Sequence, residues 1–84
     1  MGYRMGYRMG VTTVIGRVTH FDAESGVGTI EPDDQSLPDV PLTTAALRAR
    51  GIDIPKLGAR VVCLVFPSAL GPQVLRVLAV NDPR

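Results

Sequence analysis

The sequence predicts an all-β fold, an antiparallel barrel of five short strands with one helical turn between the third and the fourth. Three observations carry this. β-Branched residues are dense from Val11 onward, as strands prefer. Gly and Pro recur at short intervals, at Gly16, Gly26, Gly28, Pro32, Pro38, Gly51, Pro55, Gly58, Pro67, Gly71 and Pro72, which is the spacing of strands joined by tight turns. The chain has 84 residues, 45% apolar and 20% charged, enough for one small core but not for two.

Strands are expected at about Val14 to Asp22, Gly26 to Glu31, Asp39 to Thr43, Ala59 to Phe66 and Gln73 to Val80. The exception is Thr44 to Arg50, which reads Thr-Ala-Ala-Leu-Arg-Ala-Arg before Gly51. A threonine start, arginines near the end and a glycine stop make it one or two helical turns. Five strands and such a turn suggest a small barrel of the OB type, in which closure removes the exposed edges of a small sheet. The barrel is expected over 14–80, with a tail over 81–84. Residues 1–13 form an N-terminal segment that opens with Met-Gly-Tyr-Arg twice and then Met-Gly. Met5 and Met9 could each begin translation, so this reads as an expression scar or an over-extended start. The functional alternative is an arm whose Tyr3, Tyr7, Arg4 and Arg8 meet bases and phosphates.

Composition excludes several classes. Apolar content of 45% with both charge signs interspersed is not that of a disordered chain. The longest apolar run, Val61 to Phe66, is far short of the ~20 residues of a membrane-spanning helix. No membrane association is expected, and a cytoplasmic location is. Cys63 is the single cysteine, so neither an internal disulfide nor a structural zinc site is expected, and no cofactor. The formal net charge is +1, which makes no general funnel for a polyanion. Eight of the nine basic residues are arginine, the residue suited to bidentate and stacked contacts.

Gly16-Arg-Val-Thr-His-Phe-Asp-Ala-Glu-Ser-Gly-Val-Gly-Thr-Ile-Glu-Pro-Asp-Asp34 resembles the opening of the bacterial cold-shock proteins, whose pattern runs Gly-Lys-Val-Lys-Trp-Phe-Asn and then Lys-Gly-Phe-Gly-Phe-Ile. Asp39-Val40 stands where that family has Asp-Val-Phe-Val-His-Phe, and Ala45-Ala-Leu47 resembles its Ser-Ala-Ile. Gly58 precedes its fourth strand and Gly71-Pro72-Gln73 opens its fifth. One extra residue near Leu37 and Pro38 carries the comparison from Gly16 to Val77. The resemblance implies a cold-shock-like OB-fold and, as function, binding of single-stranded RNA or DNA in transcriptional or RNA-level regulation. That family stacks bases on surface aromatics of its first three strands.

This sequence departs from that platform. At matching positions the family's Trp is His20, the two Phe of the second strand are Val27 and Thr29, and Phe-Val-His-Phe is Pro41-Leu42-Thr43-Thr44. A later aromatic is Ile52. Phe21 alone stays aromatic, and at ~1–3 kcal/mol per stacked base the affinity for a single strand falls by several orders of magnitude. The contacts expected for such weak binding are Arg17, His20, Phe21 and Arg60. Thr19 and Ser25 stand where the family commonly has lysine, and Asp22, Glu24, Asp33 and Asp34 add negative charge. Pro41 marks its strand as an edge or a bulge.

The fourth strand departs the other way. Val61-Val-Cys-Leu-Val-Phe66 is apolar at every position, whereas a strand with one wet face alternates. The resembled family carries polar residues at the positions of Val62, Leu64 and Phe66. The fifth strand, from Val74 to Val80, is apolar except for Arg76. A hairpin with two apolar faces marks an interface, with Val62, Leu64 and Phe66 as its contacts and a homodimer or a protein partner on the other side. Alternatively the segment Val11 to Ile15, or the helical turn, folds over that face. Other features take their ordinary readings. His20 has no nearby nucleophile, Cys63 lies in an apolar run, and no constellation supports an enzyme. Gly26-Val-Gly28 is a turn with a close approach, and Glu31, Asp33 and Asp34 around Pro32 form a solvated turn.

Overall fold

Residues 10–82 are described by a computed structural model of the chain, so the doubled tetrapeptide and its proposed arm lie outside the described residues. Strand β1 (Thr12–Asp22) alternates, with Val14, Gly16 and Val18 inward and Thr13, Ile15 and Arg17 outward. It pairs antiparallel with β2 (Val27–Pro32) on one side and β4 (Arg60–Ser68) on the other. β2 carries β3 (Val40–Thr43), and β4 forms a hairpin with β5 (Gly71–Asn81). The order β3-β2-β1-β4-β5 makes one five-stranded sheet. It curls into a half-barrel, bringing edge strand β3 against edge strand β5. Pro41 sits in the edge strand β3, where a missing donor is tolerated.

The core lies in the concavity. Val14, Val18, Ile30, Val40, Leu42, Leu47, Ala59, Val61, Cys63, Val65 and Val77 are buried. Phe21, Ile52, Val74 and Val80 pack against them while staying partly exposed. No aromatic is fully buried among the described residues, so the interior is built from small branched side chains. β1 and β5 both start two residues earlier than expected, β4 runs two residues further, and β5 reaches Asn81. Ladder pairing carries the strands through Thr12, Pro67 and Pro72, where local propensity alone gives a weak signal.

The helical turn is shorter than the sequence predicts. α1 spans Thr44–Arg48, capped by Thr43, whose hydroxyl accepts the Ala46 amide at 3.2 Å. It closes with the Gly51 amide on Arg48 O and the Ile52 amide on Leu47 O. That crossed pair needs a left-handed residue, and Gly51 supplies it at φ 67°. The closure places Leu47 in the core.

Candidate functional site

Two surfaces bear the residues singled out in the sequence. The first is the charged end of the sheet's outer face, where β1 lies between β2 and β4 at Arg17. Arg17 and Arg60 are direct cross-strand neighbours, which sets two cations side by side. Each is answered by an acid. Arg17 donates from Nε and Nη2 to Glu31 Oε1 at 3.3 and 3.2 Å. Arg60 donates from Nη1 to Asp33 Oδ1 at 3.0 Å and from Nη2 to Asp33 Oδ2. Asp33 is itself anchored, its amide donating to Ile15 O at 2.8 Å. The acids beside Pro32 therefore do more than solvate a turn. Asp34 alone plays that part, accepting the Ser36 amide and hydroxyl at 3.0 and 2.6 Å, contacts that hold its carboxyl below the usual range. All four members of the ion pairs are about half exposed, so each pair contributes little stability, about 0–1 kcal/mol. Their effect is on the local field: two positive charges and two negative ones leave no net attraction for phosphate.

His20 lies further along β1, exposed and opposite Thr29, just past an irregularity in register between Val18 and His20. That extra residue turns Phe21 to the core side, where its ring packs. Phe21 faces Gly28, and a Cβ there would collide with the ring and with His20 O. The close approach expected at Gly28 is thus occupied by Phe21. Arg17 and Arg60 come together, His20 stands apart along the strand, and Phe21 is partly withdrawn from solvent. The half-buried Phe21 and Phe66 are the aromatics among the described residues.

The second surface is the apolar remainder of that outer face, running across β1, β4 and β5. Val62, Leu64 and Phe66 all project to it, yet each is half-buried, because β4 is flanked by a strand on both sides. The largest exposure lies at its borders: Leu75 is 56% exposed, Ile15 48% and Leu78 39%. Ile15 pairs with Val62, which pairs with Ala79, and Leu64 pairs with Arg76. The segment Val11 to Ile15 does not fold over this face; Ile15 widens it from within β1. Nor does the helical turn cover it, since Leu47 docks in the core.

β5 explains why its sequence looks apolar throughout. The ladder shifts between Val62 and Cys63 and again between Leu64 and Val65, leaving Leu78 and Leu75 as extra residues. Two such bulges stretch the inward period from two to three. Val74, Val77 and Val80 then pack on the core, while Leu75, Arg76 and Leu78 are exposed. Sequence reasoning missed Ile15, Leu75 and Leu78 as face residues. The signal was present as Val-Leu-Arg-Val-Leu-Ala-Val, a period of three.

Cys63 is fully buried, and desolvation pushes its thiol up to about 11, which keeps it protonated and unreactive at neutral pH. Among the described residues, no group of three or more His, Cys, Asp or Glu side chains could hold a metal ion, and no helix is long and apolar enough to cross a membrane. No family model matches this chain, and no curated protein is significantly similar to it.

Proposed function

We propose that this chain is a non-enzymatic protein-contact module on a cold-shock-like OB barrel, and that the outer face of β1, β4 and β5 makes the contact. The observation that carries this is the pair of bulges in β5, which present Leu75 and Leu78 to solvent beside Ile15, Val62 and Leu64. Bulges cost ladder regularity, and here they gather Leu75 and Leu78 with Ile15 into one contiguous apolar patch of the kind that marks a contact site. The strand order, the helical turn between β3 and β4 and the approach of β3 to β5 support the OB assignment.

A second reading keeps the function implied by the resemblance, weak binding of single-stranded RNA or DNA. Arg17 beside Arg60, with exposed His20 on the same strand, favours it, because exposed ion pairs open at little cost. Phe21 would contribute the part of its side chain left exposed. A photo-reactive residue placed at position 64 and, separately, at position 29 in cells separates the two. A protein adduct of discrete mass at 64 with none at 29 is expected. Nucleic acid cross-linked at 29, with nothing at 64, would replace the first reading by the second. Titration with fluorescent pyrimidine-rich and mixed oligonucleotides at low salt gives an independent check; tight, salt-sensitive binding would count for the second.

A further inference from the structure

We infer that the partner of this face is a protein segment carrying a carboxylate among apolar side chains, and that a second copy of the same chain does not fill the role; the inference rests on the protein-contact reading above. Arg76 carries the argument. It pairs across to Leu64 in the middle strand and stands between the exposed Leu75 and Leu78, so a partner that covers the leucines also covers the guanidinium. Among the described residues Arg76 makes no ion pair, unlike Arg17 and Arg60. The outward residues of the three strands from Thr13 to Arg17, Arg60 to Phe66 and Gln73 to Asn81 include no acid. The neighbouring Glu31 and Asp33 already balance Arg17 and Arg60, so lending either acid to Arg76 would leave another guanidinium without a counter-charge. Packing this face on itself about a two-fold axis would enclose two Arg76 side chains, and the strand segments that form the face bring no carboxylate to either. Burying a charge without a counter-charge is strongly unfavourable. An acid flanked by leucine, isoleucine or valine satisfies both features, the carboxylate meeting the guanidinium through both of its oxygens.

A phage-displayed library of random dodecapeptides, selected on the immobilised full chain, tests this alongside sedimentation velocity of the free protein. The wild type is expected to sediment as a monomer and to enrich peptides with Asp or Glu between large apolar residues. Arg76→Glu is expected to enrich Lys or Arg at that place instead. A synthesised wild-type-selected peptide should lose affinity about tenfold when its acid becomes the amide, and its Lys counterpart should recover binding to Arg76→Glu. Peptides enriched without an acid, or no switch with Arg76→Glu, would overturn the partner chemistry and leave the protein-contact reading standing. A concentration-dependent dimer dispersed by Leu64→Lys would overturn it in favour of a second copy. No enrichment by wild type over Leu64→Lys would overturn the contact face itself. Leu75→Lys replaces Leu64→Lys if thermal melting shows that the latter does not fold.

Discussion

Strand β1 carries two outward side chains, two residues apart, that meet different surroundings. At Arg17 the charge finds a counter-charge in Glu31 of β2, with Arg60 of β4 and Asp33 completing the group. At Ile15 the side chain meets an apolar neighbour, Val62 of β4. The first region has settled its electrostatics internally and has little left for a polyanion. The second leaves apolar surface in water and a cation unanswered, a state that association relieves. A surface residue's availability thus depends on its neighbours in space more than on its type.

The largest expected effect tests the boundary between inside and outside on β5. Val77→Lys places a charge at a fully buried position and should cost more than about 4 kcal/mol, enough to unfold the domain, as read by circular dichroism. Leu78→Lys, one residue on, should keep the fold with a stability change within about 0.5 kcal/mol. If both unfold, the bulges do not hold the register described.

Next is the contact between Phe21 and Gly28. Phe21→Ala should cost about 2–3 kcal/mol, less than a fully buried Phe because the ring is partly exposed. Gly28→Ala should cost about 1–3 kcal/mol by overpacking. In the double variant the second cost should shrink, because the ring that the new methyl strikes has gone. Additive costs in denaturant titration would show that the His20 carbonyl alone sets the limit.

The inner face of β4 differs from its outer face in its response to pH. Burial raises the Cys63 thiol from 9.0 to about 11, so the folded state holds a proton that the unfolded chain has released. Stability from this source is complete below pH 9 and is lost as pH rises to about 11, by roughly 2 kcal/mol. Cys63→Val should flatten the pH dependence of the melting temperature in that window. An unchanged slope would place its cause elsewhere.

The smallest effect on stability belongs to the ion pairs. Glu31→Gln with Asp33→Asn should change stability by less than about 1 kcal/mol. The same variant frees Arg17 and Arg60 together, and single-strand binding at low salt should then rise several-fold if those arginines can meet phosphate. No rise would remove both from any nucleic-acid surface.

Strand positions, the marking of Pro41's strand as an edge or a bulge and the helical turn were legible because each rests on local chemistry: β-branched runs between glycines and prolines, a missing donor, a threonine start and a glycine stop. The site was legible in part. Val62, Leu64 and Phe66 announced themselves by breaking alternation. Ile15 did not, because an outward isoleucine in an alternating strand gives no local sign of the neighbour it will meet. Arg17 and Arg60 looked available for the same reason, since their partners lie 14 and 27 residues away in the chain.

What the sequence by itself determined is where the strands lie, to within about two residues at their ends, and which strand carries excess apolar surface, since these follow from residue-by-residue preference and from period. What only the tertiary structure decided is which side chains share a face. Two bulges in β5 and one irregularity in β1 shift register by single residues, and each shift moves the side chains beyond it to the opposite face. Such shifts answer to the neighbouring strand, through hydrogen-bond pairing and the filling of the core, and that neighbour is fixed only when the chain has folded.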